Sequence, residues 1–149
     1  MKGFFHLPLG CVIGPLVICG YVISDEKEPK LKEMGARDSK MISPRMRRYL
    51  SEKLKKFADD FVVLKISAED IDKQRNETNL NKIEIKHMQD IINMVIPDKV
   101  VLDSIEANTK GFRSKIVHGL KHELKVREEE GSLEIISENF ADKNAAFFG

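Results

Sequence analysis

Lys99-Val100-Val101-Leu102-Asp103-Ser104 is the stretch whose reading decides the fold. Its three apolar residues, two of them β-branched, read as a strand buried on both faces, as in a parallel sheet. Pro97 closes the helical pattern ahead of it, so the strand enters from a short turn. The run then stops on a carboxylate. An acid at the carboxyl end of a buried strand in an α/β sheet stands at the rim where such folds place their chemistry. These six residues are equally consistent with Asp103 simply capping the next segment.

Upstream, Asn79 caps a helix whose stripe is Leu80, Ile83, His87, Ile91 and Val95. His87 on that stripe reads as a half-buried, hydrogen-bonded residue rather than a ligand. Ser67-Ala68-Glu69-Asp70 has capping-box spacing, and Phe61 to Ile66 reads as a strand. Ser43 and Pro44 start a helix whose apolar stripe is Met46, Tyr49, Leu50, Leu54 and Phe57. Residues 24–40 are charged and irregular, while Val12-Ile13-Gly14-Pro15 turns into a strand over Leu16 to Ile23. Downstream, Phe112, Ile116, Val117, Leu120 and Leu124 predict a single amphipathic helix. Leu133 to Glu138 reads as a last strand leading to Phe140-Ala141-Asp142-Lys143.

Early strands joined by short turns and later ones by helices predict an α/β fold. Its sheet is mixed, with helices on both faces. Asp103 and Asp142 are read as acids closing the two late strands. Two carboxylates brought together are costly unless a cation neutralises them.

A chain of 149 residues is one domain's worth, and its formal charge of +1 announces no nucleic-acid partner in bulk. Its charges are unevenly placed. Lys40, Arg45, Arg47, Arg48, Lys53, Lys55 and Lys56 form a basic block, and Glu128, Glu129 and Glu130 an acidic one. The basic block reads as a solvated helix face or as nonspecific attraction to nucleic acid. Cys11 and Cys19 are too widely spaced for a metal knuckle and read as reduced, small apolar residues. His118 and His122 have metal-compatible spacing, yet with Lys121 between them and no third ligand nearby they read as a solvated face.

Gly3 to Ser24 carries no Asp, Glu, Lys or Arg and follows Lys2, a pattern shared with signal peptides and single membrane spans. Pro8-Leu9-Gly10-Cys11 even hints at a lipoprotein cleavage box. Against that, Pro8, Gly10, Gly14, Pro15 and Gly20 punctuate the run like two strands and a turn.

With these segments laid out, the chain resembles ribonuclease HII in its archaeal form. Val12 to Val17 is similar to the stretch after that family's first motif, and Asp38-Ser39-Lys40 to its Asp-Ser-Lys motif. Ile66-Ser67-Ala68-Glu69-Asp70-Ile71-Asp72 fits the segment after the third strand, and Asn79-Leu80-Asn81 with Ile83-Glu84 the opening of the long helix. Asp103 falls on the family's strand-end aspartate and Asp142 on its later Ala-Asp. The resemblance runs over roughly residues 10 to 144. It implies a ribonuclease H-like five-stranded sheet in a single catalytic domain spanning 1–149. It further implies a cytoplasmic, monomeric, metal-dependent endonuclease with no membrane part. The implied partner is an RNA–DNA hybrid or ribonucleotide-containing DNA, and the implied cofactor is Mn²⁺ or Mg²⁺. Catalysis and metal binding would fall to Asp103 and Asp142, and substrate binding to Gly10, Asp38, Ser39 and Lys40.

The family's pattern is broken at both ends. Its Asp-Glu-Ala-Gly-Arg-Gly motif aligns with Phe5, His6, Leu7, Pro8, Leu9 and Gly10. Phe5 cannot hold a cation, His6 is at most a weak ligand for Mn²⁺, and Leu9 lacks the guanidinium that would grip a phosphate. After Asn144 the family's Ser-rich helix and its C-terminal part have no counterpart. The expectation is therefore a domain incomplete at its C-terminal end, read from a damaged or frame-shifted copy, with catalysis in doubt. The alternatives are a noncatalytic hybrid-binding remnant and a membrane-anchored or secreted protein using the apolar N-terminus.

Overall fold

The computed structural model describes residues 2–9, 15–33 and 43–139. Five strands form one sheet: β1 (Lys2–Leu9), β2 (Leu16–Ser24), β3 (Asp60–Ile66), β4 (Lys99–Asp103) and β5 (Glu134–Glu138). Their spatial order is β3-β2-β1-β4-β5. The early strands β1, β2 and β3 pair antiparallel, and β4 runs parallel to both β1 and β5. The sheet is therefore mixed, with a parallel half built through helical crossovers. The apolar N-terminal stretch supplies β1 and β2, not a helix. Among the described residues no helix is long and apolar enough to cross a membrane.

The helices are α1 (Glu28–Glu33), α2 (Pro44–Phe57), α3 (Ala68–Arg75), α4 (Leu80–Val95), α5 (Thr109–His118) and α6 (His122–Glu130). Local chemistry sets their starts. Ser43 accepts from the Met46 N–H, Ser67 from Asp70, Asn79 from Lys82 and Asn108 from Gly111, at 2.9–3.1 Å. The expected single helix over Phe112 to Leu124 is two helices. Gly119 ends α5, its N–H reaching the Ile116 and Val117 carbonyls. The Gln89 side-chain amide of α4 lies beside it and donates to the Lys115 carbonyl at 2.9 Å. Residues 25–33, read as irregular, form a 3-10 turn over Asp25–Lys27 and the short α1.

The principal core lies on one face of the sheet. There Ile18, Val100 and Leu102 pack with Ile83, Met88, Ile91, Ile92, Phe112, Ile116 and Leu124. On the other face Leu54 and Phe57 of α2 pack over Ile23 and Val101. Helices thus cover both faces. The stripe expected on α2 is narrower than its sequence suggests: Met46 and Tyr49 are 47% and 58% exposed.

Candidate active site

Strand β4 is flanked on both sides by parallel neighbours, and Asp103 is its last residue. Val100 and Leu102 are buried in the principal core, while Val101 is buried under α2. Alternation along the strand puts Asp103, half-buried, on the α2 side. Ser104 helps to close the turn beyond it. The Ser104 N–H donates to the Glu138 carbonyl at 2.8 Å. Its hydroxyl donates to the Glu106 carbonyl at 2.6 Å and accepts from the Glu106 N–H at 3.2 Å.

Directly across from Asp103, in register on β5, stands Glu138. The acid that ends the last strand is thus Glu138, whereas Asp142 lies beyond the described residues together with Gly10, Asp38, Ser39 and Lys40. The reading from sequence quoted Glu138 but passed over it for the acid four positions later. Only its register with β4 brings Glu138 opposite Asp103. On the other flank, Phe5 of β1 is in register with Val101 and Tyr21, and His6 with Leu102 and Gly20. Phe5 therefore stands in the register row of Val101, and His6 in that of Leu102, the row before Asp103.

Two ionisable groups of β2, Cys19 and Tyr21, are held in ways that favour their neutral forms. The Tyr21 hydroxyl donates to the Leu54 carbonyl at 2.5 Å, and burial, aided by the Asp59 carboxylate, pushes its pKa up to about 12. Burial raises the Cys19 thiol, with Lys55 pulling the other way, which disfavours the thiolate. Asp59 is tied to the Lys27 ammonium at 2.8 Å and accepts from the Ser24 N–H at 2.6 Å. His87, expected to be hydrogen-bonded, is half-buried with its Nδ1 3.8 Å from Asp90 and its buried Nε2 without a partner among the described residues.

Asp103 and Glu138 supply carboxylate oxygens, the donor type that hard divalent cations take. Among the described residues no three His, Cys, Asp or Glu side chains gather closely enough to hold a metal. That statement covers the His118 and His122 pair as well.

A family profile described as Ribonuclease HII matches residues 9–147. The chain belongs to the ribonuclease HII family. It is 38% identical over 134 residues to the ribonuclease HII of Methanothermobacter thermautotrophicus, covering 89% of this chain and 60% of that one. With the enzyme of Methanobrevibacter smithii it shares 36% identity over 137 residues, 91% of this chain and 60% of the relative. The crystal structure of ribonuclease H2 from Pyrococcus horikoshii superposes with a TM-score of 0.80 at 30% identity, covering 99% of this chain and 66% of that one. The fold is accordingly ribonuclease H-like, and the chain spans about three-fifths of the length of these curated relatives.

Proposed function

We propose that this chain is an endonuclease of the ribonuclease HII type, directed at the RNA strand of RNA–DNA hybrids or at ribonucleotides within DNA. The observation that carries the reading is Asp103 at the carboxyl end of a strand flanked by two parallel neighbours, with Glu138 across from it. Asp103 and Asp142 would hold Mn²⁺ or Mg²⁺, which when bound activates water and steadies the leaving oxygen of a phosphodiester. Gly10, Asp38, Ser39 and Lys40 would meet the substrate backbone. A cytoplasmic, monomeric protein without a membrane part completes the reading.

Phe5 and His6 stand at two positions that the family fills with acids, so cleavage is expected to be slow. Against an intact relative, turnover of a labelled hybrid should fall at least about a thousandfold, about 4 kcal/mol of barrier. Asp103→Asn should remove what remains. Phe5→Asp with His6→Glu should instead raise the melting temperature as divalent metal is added. Near-normal turnover by the unaltered chain would overturn the roles given to Phe5 and His6. A second reading, favoured by the same two residues, keeps hybrid binding and drops cleavage. Binding without any metal-dependent product would select it.

A further inference from the structure

The outward face of α2 carries a row of cations that the fold itself does not use. Arg45, Arg48, Tyr49, Glu52, Lys53 and Lys56 recur at i, i+3, i+4, i+7, i+8 and i+11, and every one is exposed. Leu54 and Phe57, on the opposite side of the same helix, pack against the sheet. The row spans about 16 Å of helix. Glu52 is its only acid. None of Arg45, Arg48, Lys53 and Lys56 makes an ion pair among the described residues. Elsewhere Lys27, Arg113, Lys115 and Arg127 are bound to acids at 2.7–2.8 Å. A chain whose formal charge is +1 thus concentrates unneutralised positive charge on one helix face. An exposed aromatic interrupts the row, with the Lys53 Nζ 5.9 Å from the centre of the Tyr49 ring.

This face lies on the same side of the sheet as Asp103. The helix packs on Val101, and Asp103 follows two residues later on the same strand face. We infer that the outward face of α2 is a docking surface for the sugar–phosphate backbone of a nucleic-acid duplex, which it holds alongside the strand-end carboxylate. The inference rests on the proposed nuclease reading for its choice of partner. It is carried by charge complementarity: a regular line of phosphates answers a line of unpaired cations, whereas an ordinary solvated helix mixes both signs.

The test is binding of a short labelled RNA–DNA hybrid and of a plain DNA duplex by the full chain, in chelator, across about 50 to 200 mM salt. Replacing Arg45, Arg48, Lys53 and Lys56 with glutamine should weaken binding at low salt more than about tenfold and lower the slope of log affinity against log salt by about 3. The Lys53→Gln, Lys56→Gln pair should give about half that change in slope. As a control, glutamine at Arg75, Lys82, Lys86 and Lys110 removes as many exposed cations, all of them on α3, α4 and α5. That control should leave the slope nearly unchanged. Equal losses in the two sets would mean that net charge matters and the surface does not. That result, an unchanged slope in the α2 set, or no binding by the unaltered chain would each overturn the inference. Binding of the hybrid that yields no product once divalent metal replaces the chelator would count against the nuclease reading while leaving this surface in place.

Discussion

The two faces of the sheet are built to different standards. On one, Ile83, Met88, Ile91, Ile92, Phe112, Ile116 and Leu124 are at most 1% exposed. On the other, Ile23 and Val101 are buried under the end of α2, while Phe61 and Val63 of β3 remain 42% and 44% exposed. Burial energy scales with the apolar area removed from water, so the first face supplies most of the hydrophobic stabilisation. The second carries Asp103 and the α2 cations that, among the described residues, make no ion pair. Stability and candidate chemistry are thus segregated by the thickness of one sheet.

Truncating a side chain on each face is the strongest way to break this comparison. Phe112→Ala should cost about 3–5 kcal/mol of unfolding free energy, measured by denaturant titration, because it empties a site that cannot collapse. Leu54→Ala, on the half-buried edge of α2, should cost about 1 kcal/mol. Equal losses would mean that the α2 face is packed as tightly as its opposite.

A titration sharpens the contrast on the α2 side. Tyr21 has its folded-state pKa raised from 10 to about 12. The stabilisation is therefore fully present below pH 10 and is lost as pH rises through about 12. Because the phenol is partly exposed, solvent screening reduces the effect to about 1 kcal/mol. Tyr21→Phe should flatten that alkaline limb in thermal melts across the same range.

On the well-packed side, the fold absorbs a local strain. Ile96, the cap of α4, sits at φ 53, a left-handed conformation that a β-branched residue rarely adopts. The Ile96 side chain is 43% exposed, so little packing offsets that conformation. Ile96→Gly should raise stability by about 0.5–1 kcal/mol, read as a higher denaturation midpoint. Smaller still is the effect at Glu84, whose pKa burial raises on α4. Its contribution is fully present below the unfolded-state value near 4.5 and is lost as pH rises through the higher folded value. Glu84→Gln should gain a little stability at neutral pH and nothing in acid.

What sequence reasoning could reach follows the same division. The Val100-Val101-Leu102 run reported a strand buried on both faces, and Ser43, Ser67 and Asn79 announced helix starts, because each signal is complete within a few residues. The division between α5 and α6 was hidden because Phe112, Ile116, Leu120 and Leu124 keep helical spacing across it. It is marked by Gly119, next to which the Gln89 amide of α4 donates to the Lys115 carbonyl at 2.9 Å. Periodicity likewise put Met46 and Tyr49 inward, since it cannot show where the sheet beneath a helix ends. At the site, Asp103 was readable from its strand. Glu138 was not, because its meaning comes from register with another strand. The assignments at Gly10, Asp38, Ser39, Lys40 and Asp142 lie outside the described residues.

The parallel seam between β1 and β4 also constrains how the chain is born. Strand β1 finds β2 and then the β2–β3 pair through nearby sequence, but its other edge must wait for β4, since Gly3 pairs with Lys99. At the pace of a ribosome that wait is roughly 5–20 s, during which the edge of β1 offers unpaired N–H and C=O groups to any neighbouring chain. The row that holds Phe5 and leads to Asp103 is created only when that late, non-local seam zips shut, a step slowed by loop closure. Aggregation during synthesis, and its relief by holding chaperones, should therefore depend most on how quickly β4 arrives.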